Sequence, residues 1–369
     1  MTYLARVRLE LAALEQRSLL RVPRRCVPDR AIDFSSNDYL GLSRDARVLA
    51  ALRQSERVGS GGSRLLGGAH REHAALEDDL ALWTGRERAL LFSSGYLAAL
   101  GAIATLARFV DVAYSDALVH ACLIDALRLA KVPRYIFPHA TIPLRAAGDG
   151  GAIVVTESLF GMDGSIAPLA ALVRGLRATD VLVVDEAHAL GVAGSRGSGL
   201  AAADHDERVV VIGTLSKALG AAGGFIAGPA DVMALLATAA RTFVFDTAPP
   251  PAIAAAARAA LAIARGDEGD ALRRRLARNA RHVRAGLRDC GFDVPGDGDA
   301  IVPLVIGNER DALALAHELE LRGVFAPAIR PPTVPRGTAR LRITVRADHT
   351  EADIETLHEA MAAVRLAPR

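Results

Sequence analysis

Lysine is almost missing from this chain. Of its 44 basic residues, only Lys131 and Lys217 are lysines, and the rest are arginines. Cysteine is scarce as well. Cys26, Cys122 and Cys290 lie far apart with no CxxC pair, which argues against a disulfide framework or a zinc site and fits a reducing compartment. Net charge is close to balance, +2 from 44 basic and 42 acidic residues, so charge gives no support to a nucleic-acid partner. No run of 18 apolar residues occurs, so no membrane-spanning helix is expected. The opening "MTYLARVRLELAALEQ" carries charges throughout and lacks the apolar stretch of a signal peptide. A cytoplasmic protein is the expectation.

What the chain does have is apolar material, 51% of its 369 residues, enough for two or three domains with one large core. Leu4, Val7, Leu11 and Leu14 recur at helical spacing, predicting a helix over residues 2–20. From residue 89 short apolar runs alternate with helical segments: 89–92, 112–115, 134–137, 152–157, 181–188, 208–214 and 223–228. Such runs, separated by crossover-length segments, predict an α/β fold with a mostly parallel seven-stranded sheet between helices. After the prolines of "APPPA", a long Ala/Arg helix is expected over 252–290, then strands at 300–307, 324–329 and 339–345 and a last helix over 350–364. This reads as a small C-terminal α+β domain. The divisions are 1–45, an N-terminal helix and substrate-site segment; 46–265, a large domain; and 266–369, the small domain.

Ligands of open α/β sheets bind beyond the carboxyl ends of the strands. Asp185 and His188 end "VLVVDEAH", Thr214 and Lys217 follow "RVVVIG", and Ser94, Gly95 and Tyr96 follow "ALLF". Four apolar residues precede Asp185, so its carboxylate needs a partner; a helix cap or a local arginine would serve as well as a ligand. Lys217 is sharper. Arginine cannot act as a neutral amine, whereas lysine can. A solvated lysine at a helix start is the plain alternative, and the arginine bias of the chain argues against it. Lys131, near a helix end before a proline, suits the plain reading. "SSGY" is either a simple turn or a phosphate cradle at a helix N-terminus. "GSGGSRLLGG" is no Walker A loop, because no GK[ST] follows, and Arg64 breaks GxGxxG. A reactive amine, a buried acid and a phosphate cradle together suggest pyridoxal 5'-phosphate (PLP).

At this point the residues carry a resemblance. "SSNDYLGLS", "GSGGSRLLGG", "HREHAALEDDLA", "TESLFGMDGSIAPL", "VVDEAHALGVAGSRGSG" and "TLSKALG" resemble the α-oxoamine synthases, fold-type I PLP enzymes, in the family's order and over nearly the whole chain. The resemblance implies that Lys217 forms the Schiff base with PLP and moves the α-proton. It implies that Asp185 pairs with the pyridine nitrogen, His188 meets the phenolic oxygen and His120 stacks on the ring. Ser94, Gly95, Tyr96 and Thr214 would hold the cofactor, with Thr247 reaching the partner subunit's phosphate in a homodimer. For substrate it implies Arg342, with Asn37 and His120 near and Arg330 and Thr333 in the proline-stiffened "RPPTVP". Arg21 is the N-terminal candidate, with Arg17 and Arg24 as alternatives.

Arg340 shares a strand face with Arg342, and a solvated face competes with any role for it. His70 and His73 flank a helix start and read as structural. The late segment "AIRPPTVPRGTARLRIT" is most similar to members that condense L-alanine with a pimeloyl thioester, of CoA or of an acyl carrier protein. A glycine-using member of the family and a fold-type I aminotransferase are the rivals. Three positions depart from the family: Gly161 replaces the usual serine before "MDG", and Phe245 and Asp246 stand where tyrosine and serine are usual.

Overall fold

A computed structural model describes residues 1–23, 26–27, 30–145, 150–294 and 300–364. In chain order, α1 (Tyr3–Gln16), β1 (Ile32–Asp33), α2 (Ala46–Arg53), α3 (Arg71–Thr84), β2 (Arg88–Phe92), α4 (Gly95–Leu106), β3 (Val112–Asp116) and α5 (Ala121–Ala130) come first. Next are β4 (Arg134–Phe137), β5 (Ala152–Glu157), α6 (Leu169–Arg174), β6 (Val181–Asp185), β7 (Val209–Thr214), β8 (Gly224–Gly228), α7 (Ala230–Ala239), α8 (Arg241–Val244) and α9 (Pro251–Ala264). The chain ends with α10 (Asp267–Asp289), β9 (Ile301–Gly307), α11 (Glu309–Leu321), β10 (Val324–Phe325), β11 (Ala328–Ile329), β12 (Ala339–Thr344) and α12 (Glu351–Ala363).

Two compact units result. One comprises Met1–Ser36, Met162–Gly164 and Leu276–Arg369, the other Asn37–Gly161 and Ser165–Arg275.

The larger unit holds the seven-stranded sheet, in the order β2-β8-β7-β6-β5-β3-β4. Strands β5, β6 and β7 are buried along their whole length apart from Val181, which is why their sequences are unbroken apolar runs rather than alternating ones. The β3–β5, β5–β6, β6–β7 and β3–β4 pairs are parallel. Strand β8 runs antiparallel to both β7 and β2. The connection from Thr214 to Gly224 is too short for a crossover helix, so the chain can only turn back. That forced turn carries Lys217. Parallel strands bring their carboxyl ends to one edge, and β3, β5, β6 and β7 end there on Asp116, Glu157, Asp185 and Thr214.

In the smaller unit β12 lies between β11 and β9, antiparallel to both, and β1 pairs with β10 in parallel. Two expectations are corrected here. The run 324–329 is not one strand: Pro327, which has no N–H to donate, separates β10 from β11, and the two join different partners. The Ala/Arg segment is not one helix over 252–290 but two. Helix α9 ends with Arg265 as its cap, Gly266 follows, and the acidic residues Asp267, Glu268 and Asp270 open α10, where the helix dipole favours them. No helix among the described residues is long and apolar enough to cross a membrane.

Candidate active site

Lys217 stands in the turn between β7 and β8, partly buried, and not at a helix start. Gly220 and Gly223, at φ 59° and 116°, turn the chain back toward the sheet instead. Its Nζ lies 2.9 Å from His188 Nε2. The other ring nitrogen of His188, Nδ1, lies 2.6 Å from the Tyr39 hydroxyl, which donates to Asn37 Oδ1 at 3.2 Å. Strand β6 stops at Asp185, so His188 sits in the following turn rather than on the strand end. The ring is seated against Gly161: a Cβ there would come within 2.1 Å of His188 Nε2.

Asp185 is buried, and its Oδ1 accepts from Ala187 N–H at 2.9 Å. The carboxylate therefore caps its own turn and no arginine bonds it among the contacts of the described residues. Beside it in the sheet register is Glu157. The sequence reading passed over Glu157, although "AIVVTE" ends an apolar run on an acid just as "VLVVD" does. Burial, and then the negative charge of Asp185, push the Glu157 carboxyl up to about 8; Lys217 and the N–H groups of Gly161 and His120 work against this. At neutral pH the Glu157 carboxyl therefore keeps its proton. Glu157 Oε1 accepts from His120 N at 2.7 Å and Oε2 from Gly161 N at 3.3 Å, so one buried carboxyl ties two of the site's segments together.

His120 is the N-cap of α5. Its Nδ1 accepts from Cys122 N at 3.2 Å and lies 3.0 Å from Cys122 Sγ. Burial lowers the His120 pKa, against the pull of Asp185, and raises the Cys122 thiol. Ser94 caps α4 by accepting from Leu97 N at 3.2 Å. The helix start is packed on the sheet edge. A Cβ on Gly224 would lie 2.2 Å from Gly95 N, and one on Gly95 would lie 3.3 Å from Thr214 Cβ. Thr214 Oγ1 and Ser216 Oγ are 2.8 Å apart beside it. Tyr96 is two-fifths exposed and donates its hydroxyl to Asp125 of α5.

These residues fit PLP. Gly95 and Gly224 leave the backbone N–H groups of a helix start uncovered by side chains, next to two hydroxyls, as a phosphate needs. An amine and a buried carboxylate lie on the same sheet edge.

Thr247 is exposed and joins none of the groups above. Its neighbours are fixed: Ala248 N donates to Gly62 O at 2.9 Å, and Pro249 O accepts from Ser60 Oγ at 2.5 Å and His73 Nε2 at 2.7 Å. His73 is therefore a core histidine tied to the backbone through Nε2, and His70 caps α3. Phe245 is 70% exposed under the Arg241 guanidinium, and Asp246 accepts from Ser93.

In the smaller unit Arg21 donates to Thr333 Oγ1 at 3.1 Å and Arg330 O at 3.5 Å. Arg330 turns its guanidinium onto the carbonyls of Ser18 and Leu20, while Thr333 is exposed on the loop. Arg17 only caps α1, and Arg24 lies outside the described residues. Arg342 is buried and donates to Thr344 Oγ1 at 2.7 Å. Arg340 is not on a solvated face. It is buried because β12 is the central strand, and it donates to Thr338 O at 3.1 Å and Met162 O at 3.4 Å.

Comparison with known proteins gives the family. The model for aminotransferases of class I and II matches residues 29–361. An 8-amino-7-oxononanoate synthase from Burkholderia thailandensis is 44% identical over 345 residues, 89% of this chain and 88% of that protein. A serine palmitoyltransferase variant from S. paucimobilis, solved with a bound PLP–myriocin aldimine, superposes with a TM-score of 0.88 at 27% identity, covering 98% of each chain. An 8-amino-7-oxononanoate synthase from Francisella tularensis gives 0.77 at 26% identity, over 90% of this chain and 97% of that one. The chain therefore has the fold-type I architecture and belongs to the class I and II aminotransferase family, among relatives named 8-amino-7-oxononanoate synthase.

Proposed function

We propose that this protein is a PLP-dependent 8-amino-7-oxononanoate synthase of biotin biosynthesis. The observation that carries the reading is the placement of Lys217, Asp185, His188 and the α4 N-terminus on one sheet edge, in a chain 44% identical to a named synthase. The reaction joins the α-carbon of L-alanine to the acyl carbon of a pimeloyl thioester. The C–S bond breaks, the thiol leaves, and the alanine carboxylate departs as CO2.

PLP supplies an electron sink for the pair of electrons left at the α-carbon. Lys217 binds its aldehyde and carries the α-proton, a task that needs an amine able to lose its charge. Asp185 holds the proton on the pyridine nitrogen. The uncharged Glu157 beside it spares Asp185 a second negative charge, which would compete for that proton. His188 hydrogen-bonds the phenolic oxygen, and His120 flanks the ring. Ser94, Gly95, Tyr96 and Thr214 bind the phosphate side, with Thr247 serving the partner subunit's site in a homodimer. Arg342 takes the amino-acid carboxylate as a two-pronged donor, with Asn37, Arg330, Thr333 and Arg21 as further substrate contacts. The protein works in the cytoplasm, on pimeloyl-CoA or pimeloyl-acyl carrier protein.

The test is a panel of alanine, glycine and serine against pimeloyl-CoA and pimeloyl-acyl carrier protein, following thiol release. Release with alanine and a pimeloyl thioester supports the reading. Release only with glycine or serine moves the protein to a sister activity, and keto-acid formation without thiol release makes it an aminotransferase.

A further inference from the structure

Three buried or half-buried side chains stand in line behind Lys217. Asn37 Oδ1 can only accept, so the Tyr39 hydroxyl gives its one hydrogen to it across 3.2 Å. With that hydrogen on Asn37, the Tyr39 oxygen presents lone pairs to His188 Nδ1, 2.6 Å away, an arrangement that suits a ring proton on Nδ1. A neutral imidazole has one N–H, which leaves Nε2 as an acceptor facing Lys217 Nζ at 2.9 Å. Tyr39 is fully buried and His188 is 6% exposed, so water offers the ring little alternative.

Gly161 completes the arrangement from the other side. A Cβ on this residue would lie 2.1 Å from His188 Nε2, 2.6 Å from Cδ2 and 2.8 Å from Cε1. A side chain at 161 and the ring in this place exclude each other. The backbone of Gly161 is itself held, through its N–H on Glu157.

We propose that Tyr39 is a positioning residue: it fixes both the orientation and the tautomer of His188 against Lys217, and Gly161, by lacking a side chain, provides the ring's seat. The inference deepens the proposed function and rests on it only where PLP is invoked. Glu157 at the end of β5 and His120 and Cys122 at the start of α5 also interact electrostatically with Lys217. Among the contacts of the described residues Tyr39 bonds none of them, so a shift seen in Tyr39→Phe is assigned to the ring, whereas Gly161 also holds Glu157 through its N–H.

The test compares wild type, Tyr39→Phe and Gly161→Ala, each checked for native circular dichroism. Tyr39→Phe keeps the ring bulk and removes only the oxygen. In the apoprotein, nitrogen NMR of labelled histidine reads the His188 tautomer, with a His188→Gln spectrum to assign the signal. Wild type shows the proton on Nδ1, and both variants lose that preference. In the PLP-loaded protein, the pH midpoint of the cofactor's absorbance moves by about one unit in both variants, the tenfold change that one lost hydrogen bond at a charged site brings. Either an unchanged tautomer in Tyr39→Phe or an unmoved midpoint in both variants overturns the proposal. A merely structural role for Tyr39 would lower stability and leave both readouts in place. Should wild type give no cofactor absorbance, the proposed function fails and the apoprotein measurement alone decides on Tyr39.

Discussion

Replacing Glu157 with glutamine separates two effects that the structure combines in one carboxyl. Its usual value of 4.5 is raised to about 8 by burial and by Asp185. Below pH 4.5 both folded and unfolded chains hold the proton. Between 4.5 and 8 the unfolded chain has lost it and the folded chain has not. In that window the unfolded state binds fewer protons, so stability falls as pH rises, by up to about 1.4 kcal/mol per unit. Glutamine cannot titrate and abolishes this slope. It also turns an amide N–H toward the N–H of Gly161, which accepts nothing, at a pH-independent cost of about 1–3 kcal/mol. Urea unfolding of both apoproteins at pH 5.5 and 7.5 distinguishes slope from offset. From the lower pH to the higher, wild type is expected to lose up to about 3 kcal/mol relative to Glu157→Gln. Parallel pH profiles would mean that Glu157 is ionised throughout, and would refute the reasoning.

Two further outcomes follow from the same geometry. Asp185→Asn is expected to keep the fold and lower kcat by about 10²–10³-fold, measured by thiol release, because a neutral amide cannot hold the ring nitrogen's proton. Arg64 and Glu77 form a two-pronged pair at 2.7 and 2.9 Å with each side chain only 13% exposed, and Glu77 also accepts from Leu91 N at 2.8 Å. Arg64→Ala strands that carboxylate and should cost about 3 kcal/mol of stability, read from the urea midpoint.

Much of this was legible in the sequence, for definite reasons. A strand buried on both faces has to be apolar throughout, so β5, β6 and β7 announced themselves. Polar residues that end such runs mark the carboxyl edge of the sheet, and that signal places Asp185, Thr214 and Lys217 there. Glu157 gave the same signal in "AIVVTE" and was overlooked. The direction of β8 was hidden because it depends on the length of the Lys217 turn rather than on strand composition. The breaks at Pro327 and Gly266 lay inside patterns that looked continuous. Tyr39 could not be found by local pattern: its partner His188 is 149 residues away, and only the folded chain joins them. Burial of Arg340 likewise came from the central place of β12, which alternation along one strand does not reveal.

The near-absence of lysine offers a direct test of the central claim, that Lys217 is the residue that binds PLP. The holoprotein is reduced with borohydride, digested, and its peptides weighed. Lys131 and Lys217 are the only two lysines in the sequence that can carry the reduced cofactor. The account predicts the pyridoxyl mass on the Lys217 peptide, in near-stoichiometric yield, and none in a Lys217→Ala protein. The mass on the Lys131 peptide, or an unmodified Lys217 in protein that has bound the cofactor, would contradict it.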